Sequence, residues 1–169
     1  IRACVLGLQQ FPSFCASLDA EAGELIYKKY VHIGFAADTP NGLVVPVVRD
    51  VQTLDLFGIA RALGELVTRA RSDRLTPADV RGGTFTISNH GVSGSLFASP
   101  IVIPQPQSAI LGIGKLEKRA VVVSQAGEDR IIARPRCYVT LTIDHRVMDG
   151  ERANRFLKVL VQGLEQVSN

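Results

Sequence analysis

Two amphipathic helical patterns alternate with stretches rich in β-branched residues along this chain, and this alternation is the feature that most limits its fold. Apolar residues recur at helical spacing over residues 54–71 and again over residues 151–167. Each pattern predicts a helix with one buried face. Strand-like runs lie between them at residues 84–89, 108–114 and 138–143. The sequence therefore predicts an α/β fold in which helices lie on a β-sheet. The inner face of the last helix is expected to contain Ala153, Phe156, Leu157, Leu160, Val161 and Leu164.

Turn residues predict two β-hairpins. Residues 30–37 and 43–48 flank a Thr-Pro-Asn-Gly turn, and residues 121–123 and 130–134 flank an Ala-Gly-Glu-Asp turn. Residues 101–107 contain two prolines, which remove donors from a strand ladder. We therefore expect no interior strand there.

The length of the chain favours one domain. Its 169 residues, 46% of them hydrophobic, suffice for a complete core and are too few to argue for two. We expect residues 1–169 to form a single domain. Residues 1–8 have helical composition without a capping residue, which predicts that the chain begins inside an element, as a fragment does.

Charge and cysteine content narrow the class of protein. The 19 Lys and Arg are scattered among 16 acidic residues, with a net charge of +3, so we expect no nucleic-acid partner. No apolar run approaches the ~18 residues of a membrane span, and we expect no membrane partner. Cys4, Cys15 and Cys137 lack Cys-x-x-Cys spacing. They predict reduced, buried thiols in a cytoplasmic or organelle-matrix protein.

His145 has the best-defined setting of the three histidines. It follows the strand-like run 138–143 and precedes Asp149 by four residues. Its ring is either a half-buried structural imidazole or a general base at the mouth of a cleft, and the pattern leaves both open. Asp149 is the charged group nearby. An Asp before Gly is also an ordinary turn former, which favours a structural role for Asp149.

Ser88 and Asn89 end another strand-like run and are either turn formers or site residues. Taken with His145, the Ser88 hydroxyl can donate a hydrogen bond to a developing oxyanion. A seryl nucleophile is less favoured because the chain has no Gly-x-Ser-x-Gly elbow. His32 and His90 have no Cys or carboxylate at ligand spacing, so we predict no metal site.

Five segments occur in a fixed order, at residues 27–36, 39–47, 82–89, 106–112 and 144–150. Together they resemble the catalytic core of the dihydrolipoamide acyltransferases, the E2 components of 2-oxo acid dehydrogenase complexes. These enzymes are relatives of chloramphenicol acetyltransferase. The resemblance implies an α/β two-layer sandwich in which helices cover a mixed β-sheet.

The resemblance also implies a reaction. His145 would deprotonate the thiol of coenzyme A or of dihydrolipoamide, and the thiolate would attack the acyl thioester. The Ser88 hydroxyl would stabilise the tetrahedral oxyanion, without an acyl-enzyme. Asp149 would be the third catalytic residue with an orienting role, since this position can hold Asn in the family. Coenzyme A is then a substrate, and no metal is required.

The implied partners follow from the family. The lipoyl group would arrive on a separate lipoyl domain, and the E1 and E3 components would bind through other parts of the protein. The resemblance predicts a homotrimer that builds a larger cubic or dodecahedral core, with the histidine of one chain facing the hydroxyl of its neighbour. It also predicts that the chain lacks the family's N-terminal segment, lipoyl domain and peripheral-subunit-binding domain. The expected location of the protein is a bacterial cytoplasm or a mitochondrial matrix.

Alternatives to this reading remain. The chain can be a catalytically silent core subunit, or an O-acetyltransferase of the chloramphenicol acetyltransferase type. The acyl group is also open, because residues 27–47 resemble acetyltransferases whereas residues 89–112 resemble succinyl- and branched-chain acyltransferases.

Overall fold

The structure is a computed structural model that describes residues 1–40, 42–125 and 127–166. Its α-helices are α1 Arg2–Gln10, α2 Leu56–Arg71, α3 Pro77–Val80 and α4 Gly150–Gln166. Its strands are β1 Ala16–Asp19, β2 Glu24–Tyr27, β3 Ile33–Phe35, β4 Ala37–Thr39, β5 Gly42–Val44, β6 Val47–Val48, β7 Phe85–Asn89, β8 Ala109–Ile113, β9 Glu117–Gln125, β10 Glu128–Arg136 and β11 Val139–Ile143.

The central sheet is mixed, as the family resemblance implied. Its strand order is β11-β8-β7-β3-β6. The three inner strands β8, β7 and β3 run parallel, and the two edge strands run antiparallel to their neighbours. Parallel strands are buried on both faces in most folds. Here Phe85, Thr86 and Ile87 of β7 are all buried, which agrees with that rule.

One face of the sheet packs on helices. Because side chains alternate along a strand, Phe85 and Ile87 point to the same face, where they join the apolar core. Phe156 of α4 is fully buried there and stacks on Phe14 with ring centroids 4.3 Å apart. Helix α1 lies close against this ring, since a Cβ on Gly7 would come within 2.7 Å of the Phe156 ring.

The opposite face of the sheet is more polar and is covered by chain without regular structure. Thr140 donates to the carbonyl of Ala98 at 2.7 Å, and Thr142 donates to the carbonyl of Pro100 at 2.5 Å. Thr86 donates to the side-chain oxygen of Gln107 at 2.7 Å. Residues 101–107 contain no strand, as expected from their prolines.

Both predicted hairpins are confirmed, with changed bounds. In the first, β3 pairs with β6 and β4 pairs with β5. The second, β9 with β10, is much longer than predicted. The antiparallel pair of β1 and β2 was not predicted.

Three predicted burials are wrong. Val161 and Leu164 of α4 are 38% and 47% exposed, because the buried stripe of that helix follows Phe156, Leu160 and Gly163 at helical spacing. Cys137 is also exposed, since it lies in the short connection between β10 and β11. Cys4 and Cys15 are buried as predicted, and burial raises the pKa of the Cys15 thiol to about 11.

Candidate active site

His145 lies in a turn that is anchored on both sides. The backbone N–H of Asp144 donates to the carbonyl of Ser108 at 2.8 Å, which ties the end of β11 to the start of β8. On the other side, Val147 and Met148 are 7% and 5% exposed and belong to the apolar core. The imidazole between these anchors is exposed. The fold therefore presents His145 on a rigid support.

Asp144 and Arg146 brace the same turn. The Asp144 carboxylate accepts from the backbone N–H of Arg146 at 3.0 Å and from its guanidinium at 2.7 Å. The hydrogen bonds from Arg146 hold the pKa of the Asp144 carboxyl below its usual range. The Asp144 carboxylate is therefore paired within the turn, and the charged residues before and after His145 in the sequence neutralise each other.

Asp149 caps helix α4. Its side-chain oxygen accepts from the backbone N–H of Arg152 at 2.9 Å, and its carbonyl accepts from the N–H of Ala153 at 3.2 Å. This is the bonding of an N-cap residue. Within residues 1–40, 42–125 and 127–166, neither Asp149 nor another group hydrogen-bonds the His145 ring.

Ser88 is half-buried near the end of β7, on the polar face of the sheet. Its Oγ lies 3.2 Å from Nε2 of His90. Sequence reasoning considered His90 only as a metal ligand and missed this contact. The signal was available, because side chains two positions apart at the end of an extended strand share a face.

Ser88 and His145 lie at opposite ends of the sheet in one chain. Ser88 is opposite Gly112 on β8, and Gly112 is opposite Thr140 on β11. Strand β11 then runs away from the Ser88 end, and His145 comes five residues after Thr140. At ~3.3 Å per residue the two are roughly 16 Å apart along the strands, with two strand spacings of ~4.8 Å across them. One copy does not bring the two side chains together.

The remaining candidates are structural or peripheral. His32 is buried and its Nδ1 accepts from the backbone N–H of Asp50 at 3.0 Å, which is the role of a structural imidazole. The residues that the structure describes contain no cluster of three potential metal ligands and no helix able to cross a bilayer.

A cavity of about 410 Å³ opens near Gln107, and Lys28 and Arg81 in its lining could hold an anionic group.

Comparison with known proteins shows the family of this chain. The model of the 2-oxoacid dehydrogenases acyltransferase catalytic domain matches residues 1–169. The chain belongs to this acyltransferase family. The chain spans about a third of the length of the curated relatives it matches.

Relatives within this acyltransferase family act in different complexes. The chain is 44% identical over 166 residues to the dihydrolipoyllysine-residue acetyltransferase component of a pyruvate dehydrogenase complex from Mycobacterium bovis, covering 98% of this chain and 30% of that protein. It is also 44% identical over 165 residues to the mitochondrial succinyltransferase component of a 2-oxoglutarate dehydrogenase complex from Bos taurus, covering 98% and 35%.

Solved structures agree with the acyltransferase fold. The dihydrolipoamide acetyltransferase of Azotobacter vinelandii, studied for the roles of a serine, a histidine and an asparagine in catalysis, matches with a TM-score of 0.85 and 40% identity. The match covers 94% of this chain and 63% of that one, and the cubic core of a pyruvate dehydrogenase complex matches equally well. Chloramphenicol acetyltransferase matches with a TM-score of 0.57 at 18% identity, over 96% of this chain and 75% of that one. This match confirms the predicted fold.

Proposed function

We propose that this chain transfers an acyl group between the dihydrolipoyl thiol of a lipoyl domain and coenzyme A. His145 takes the proton from the attacking thiol, and the thiolate adds to the carbonyl carbon of the acyl thioester. The tetrahedral intermediate then collapses by breaking the bond to the other sulfur. That sulfur leaves as a thiolate and receives the proton held by His145, so the base is regenerated without an acyl-enzyme.

Ser88 is proposed to stabilise the intermediate. Its hydroxyl would donate a hydrogen bond to the oxyanion that forms when the thiolate adds to the carbonyl. The half-buried position of Ser88 at a strand end supports this role, because a donor held by a rigid strand loses little freedom when the oxyanion forms. Asp149 supports the histidine indirectly by fixing the start of α4.

The observation that carries the proposal is the separation of Ser88 and His145 within one copy. A reaction that needs both side chains at one thioester then requires two copies, with His145 of one facing Ser88 of the next. Such a contact between unlike surfaces closes into a ring, and a trimer is the smallest ring that the family resemblance suggests. Larger assembly into a cubic or dodecahedral core is proposed on the same basis.

The comparisons support the catalytic assignment indirectly. In the Azotobacter vinelandii enzyme, the histidine and asparagine studied for catalysis are four positions apart, as His145 and Asp149 are here. An asparagine in place of Asp149 would keep the capping acceptor of the side chain. The E1 and E3 components remain proposed partners, because the relatives are named as components of dehydrogenase complexes.

The acyl group is tested together with the reaction. The full-length protein and its His145→Ala variant are assayed for transfer from acetyl-, succinyl- and isobutyryl-coenzyme A to dihydrolipoamide. Transfer from one donor that is lost in the variant supports the proposal and identifies the acyl group. Unchanged turnover of the His145→Ala variant contradicts the role of His145. If the full-length protein transfers none of the three acyl groups, a silent core subunit is favoured. Transfer to a hydroxyl acceptor in the absence of a thiol favours the O-acetyltransferase.

A further inference from the structure

The hydroxyl of Ser88 has a hydrogen-bond partner before any substrate arrives. Its Oγ lies 3.2 Å from Nε2 of His90, within hydrogen-bond distance. A serine hydroxyl carries one proton and two acceptor lone pairs, whereas a neutral imidazole donates from one nitrogen and accepts at the other. The direction of this hydrogen bond therefore decides whether the Ser88 proton is available to an oxyanion.

We infer that His90 is a positioning residue that donates its Nε2 proton to Ser88 Oγ and so directs the Ser88 proton toward the oxyanion. This inference rests on the proposed function, in which Ser88 is the oxyanion donor. With Nε2–H as the donor, Oγ accepts one bond and gives its own proton to the substrate oxygen. The two hydrogen bonds then point the same way and strengthen each other.

The backbone holds the His90 ring in place for this role. The N–H of His90 donates to the carbonyl of Ile113 at 2.9 Å, and its own carbonyl accepts from Ser93 at 3.2 Å and from Ser95 at 3.3 Å. The Asn89 side chain accepts from the N–H of Gly91 at 3.0 Å, which closes the turn. The N–H of His90 thus ties it to the end of β8, and its carbonyl ties it to the turn that follows.

Gly91 lets this turn lie directly on the end of β8. A Cβ at position 91 would collide with the backbone carbonyl of Gly114. Any larger residue would push the turn away and carry the imidazole with it. The half-buried ring therefore reaches Ser88 from a fixed backbone, in contrast to the exposed His145.

The imidazole near Ser88 also has the geometry of a base for a serine nucleophile, and the experiment separates the two roles. In a nucleophile pair, Ser88 would give its proton to His90 and form a covalent acyl ester. In the positioning role, Ser88 keeps its oxygen free of acyl groups, and the thiol attacks the thioester directly.

The test compares His90→Leu, which removes the donor, with His90→Gln, which keeps an N–H at the end of the side chain. Both are made in the full-length protein and in its Ser88→Ala variant, with Ser93→Ala as a control in the same turn. We measure kcat and KM for coenzyme A, and the intact mass after rapid quenching with the acyl donor alone.

We expect His90→Leu to lower kcat by about five-fold with little change in KM, the scale of one hydrogen bond. His90→Gln should recover most of this loss, and Ser93→Ala should behave as the wild type. In the Ser88→Ala background, His90→Leu should have almost no further effect, because the group through which it acts is gone.

Several results would overturn the inference. The same five-fold loss in the Ser88→Ala background would show that His90 acts elsewhere, and a Gln variant as slow as the Leu variant would show that the donor is irrelevant. An acyl adduct on Ser88 would identify a nucleophile pair. If His90→Leu keeps the wild-type kcat while His145→Ala loses turnover, the inference is refuted and the proposed function stands. If His145→Ala stays active, the proposed function is refuted.

Discussion

Replacement of Asp149 separates its structural role from a chemical one. The structure shows one capping hydrogen bond, from the N–H of Arg152 to the Asp149 carboxylate at 2.9 Å. Loss of such a cap costs about 1 kcal/mol. The negative charge at the start of α4 contributes ~0.5 kcal/mol through the helix dipole. Asp149→Ala removes both contributions, whereas Asp149→Asn removes only the second.

These energies translate into a thermal shift. A change of 1 kcal/mol moves the Tm of a domain of this size by about 2–4 °C, so Asp149→Ala should lower it by about 3–6 °C and Asp149→Asn by about 1–2 °C. The assay is thermal unfolding at one protein concentration and scan rate, beside transfer kinetics. Glu151→Gln is the matched control for loss of charge alone, since Glu151 is an acidic residue in the first turn of the same helix and its side chain is 81% exposed.

If capping is the main role of Asp149, turnover follows stability, and the Asn variant stays within about three-fold of the wild type. Glu151→Gln should lower the Tm about as much as Asp149→Asn does, because each removes one negative charge from the first turn, and it should leave turnover unchanged. The reasoning is refuted if Asp149→Ala has an unchanged Tm but loses turnover. It is equally refuted if Asn is as damaging as Ala, because the charge would then matter more than the cap.

Three further predictions concern the support of the site. Arg146 lowers the pKa of the Asp144 carboxyl in the folded protein. The difference in unfolding free energy between the wild type and Asp144→Asn should therefore be constant above about pH 5 and shrink as the pH falls below about 4, as measured by urea unfolding. Cys4 and Cys15 should resist alkylation at pH 8 until the protein unfolds, as read by mass spectrometry. Phe156→Ala should cost about 3–5 kcal/mol of unfolding free energy in the same urea assay, whereas the exposed Val161→Ala should cost far less.

Much of the fold follows from local patterns in the sequence. The helical periodicity over residues 54–71 predicted α2 to within two residues. The turn residues predicted both hairpins, since a turn and its flanking strands are adjacent in the chain. The short strands β1 and β2 were missed because four residues carry too little alternation to be recognised.

Burial and the arrangement of the site depend on distant contacts. Val161 and Leu164 have the composition of a helix core, yet the direction from which α1 and the sheet approach leaves them exposed. The separation of Ser88 from His145 follows from the order and register of β7, β8 and β11, which no local pattern encodes. The His90 contact, by contrast, joins residues two positions apart and was within reach of sequence reasoning.

A complementation experiment tests the shared site most directly. Ser88→Ala and His145→Ala chains are coexpressed in equal amounts with different tags, and mixed assemblies are purified through both tags. Each variant alone should retain ~1% or less of wild-type turnover. Every mixed trimer has one neighbouring pair in three that joins an intact His145 to an intact Ser88, so turnover of isolated mixed trimers should rise to about a third of the wild type. In a larger core built from randomly mixed trimers, some trimers contain one variant alone, and the expected turnover is about a quarter. Turnover equal to the mean of the separate variants would contradict a site built from two copies.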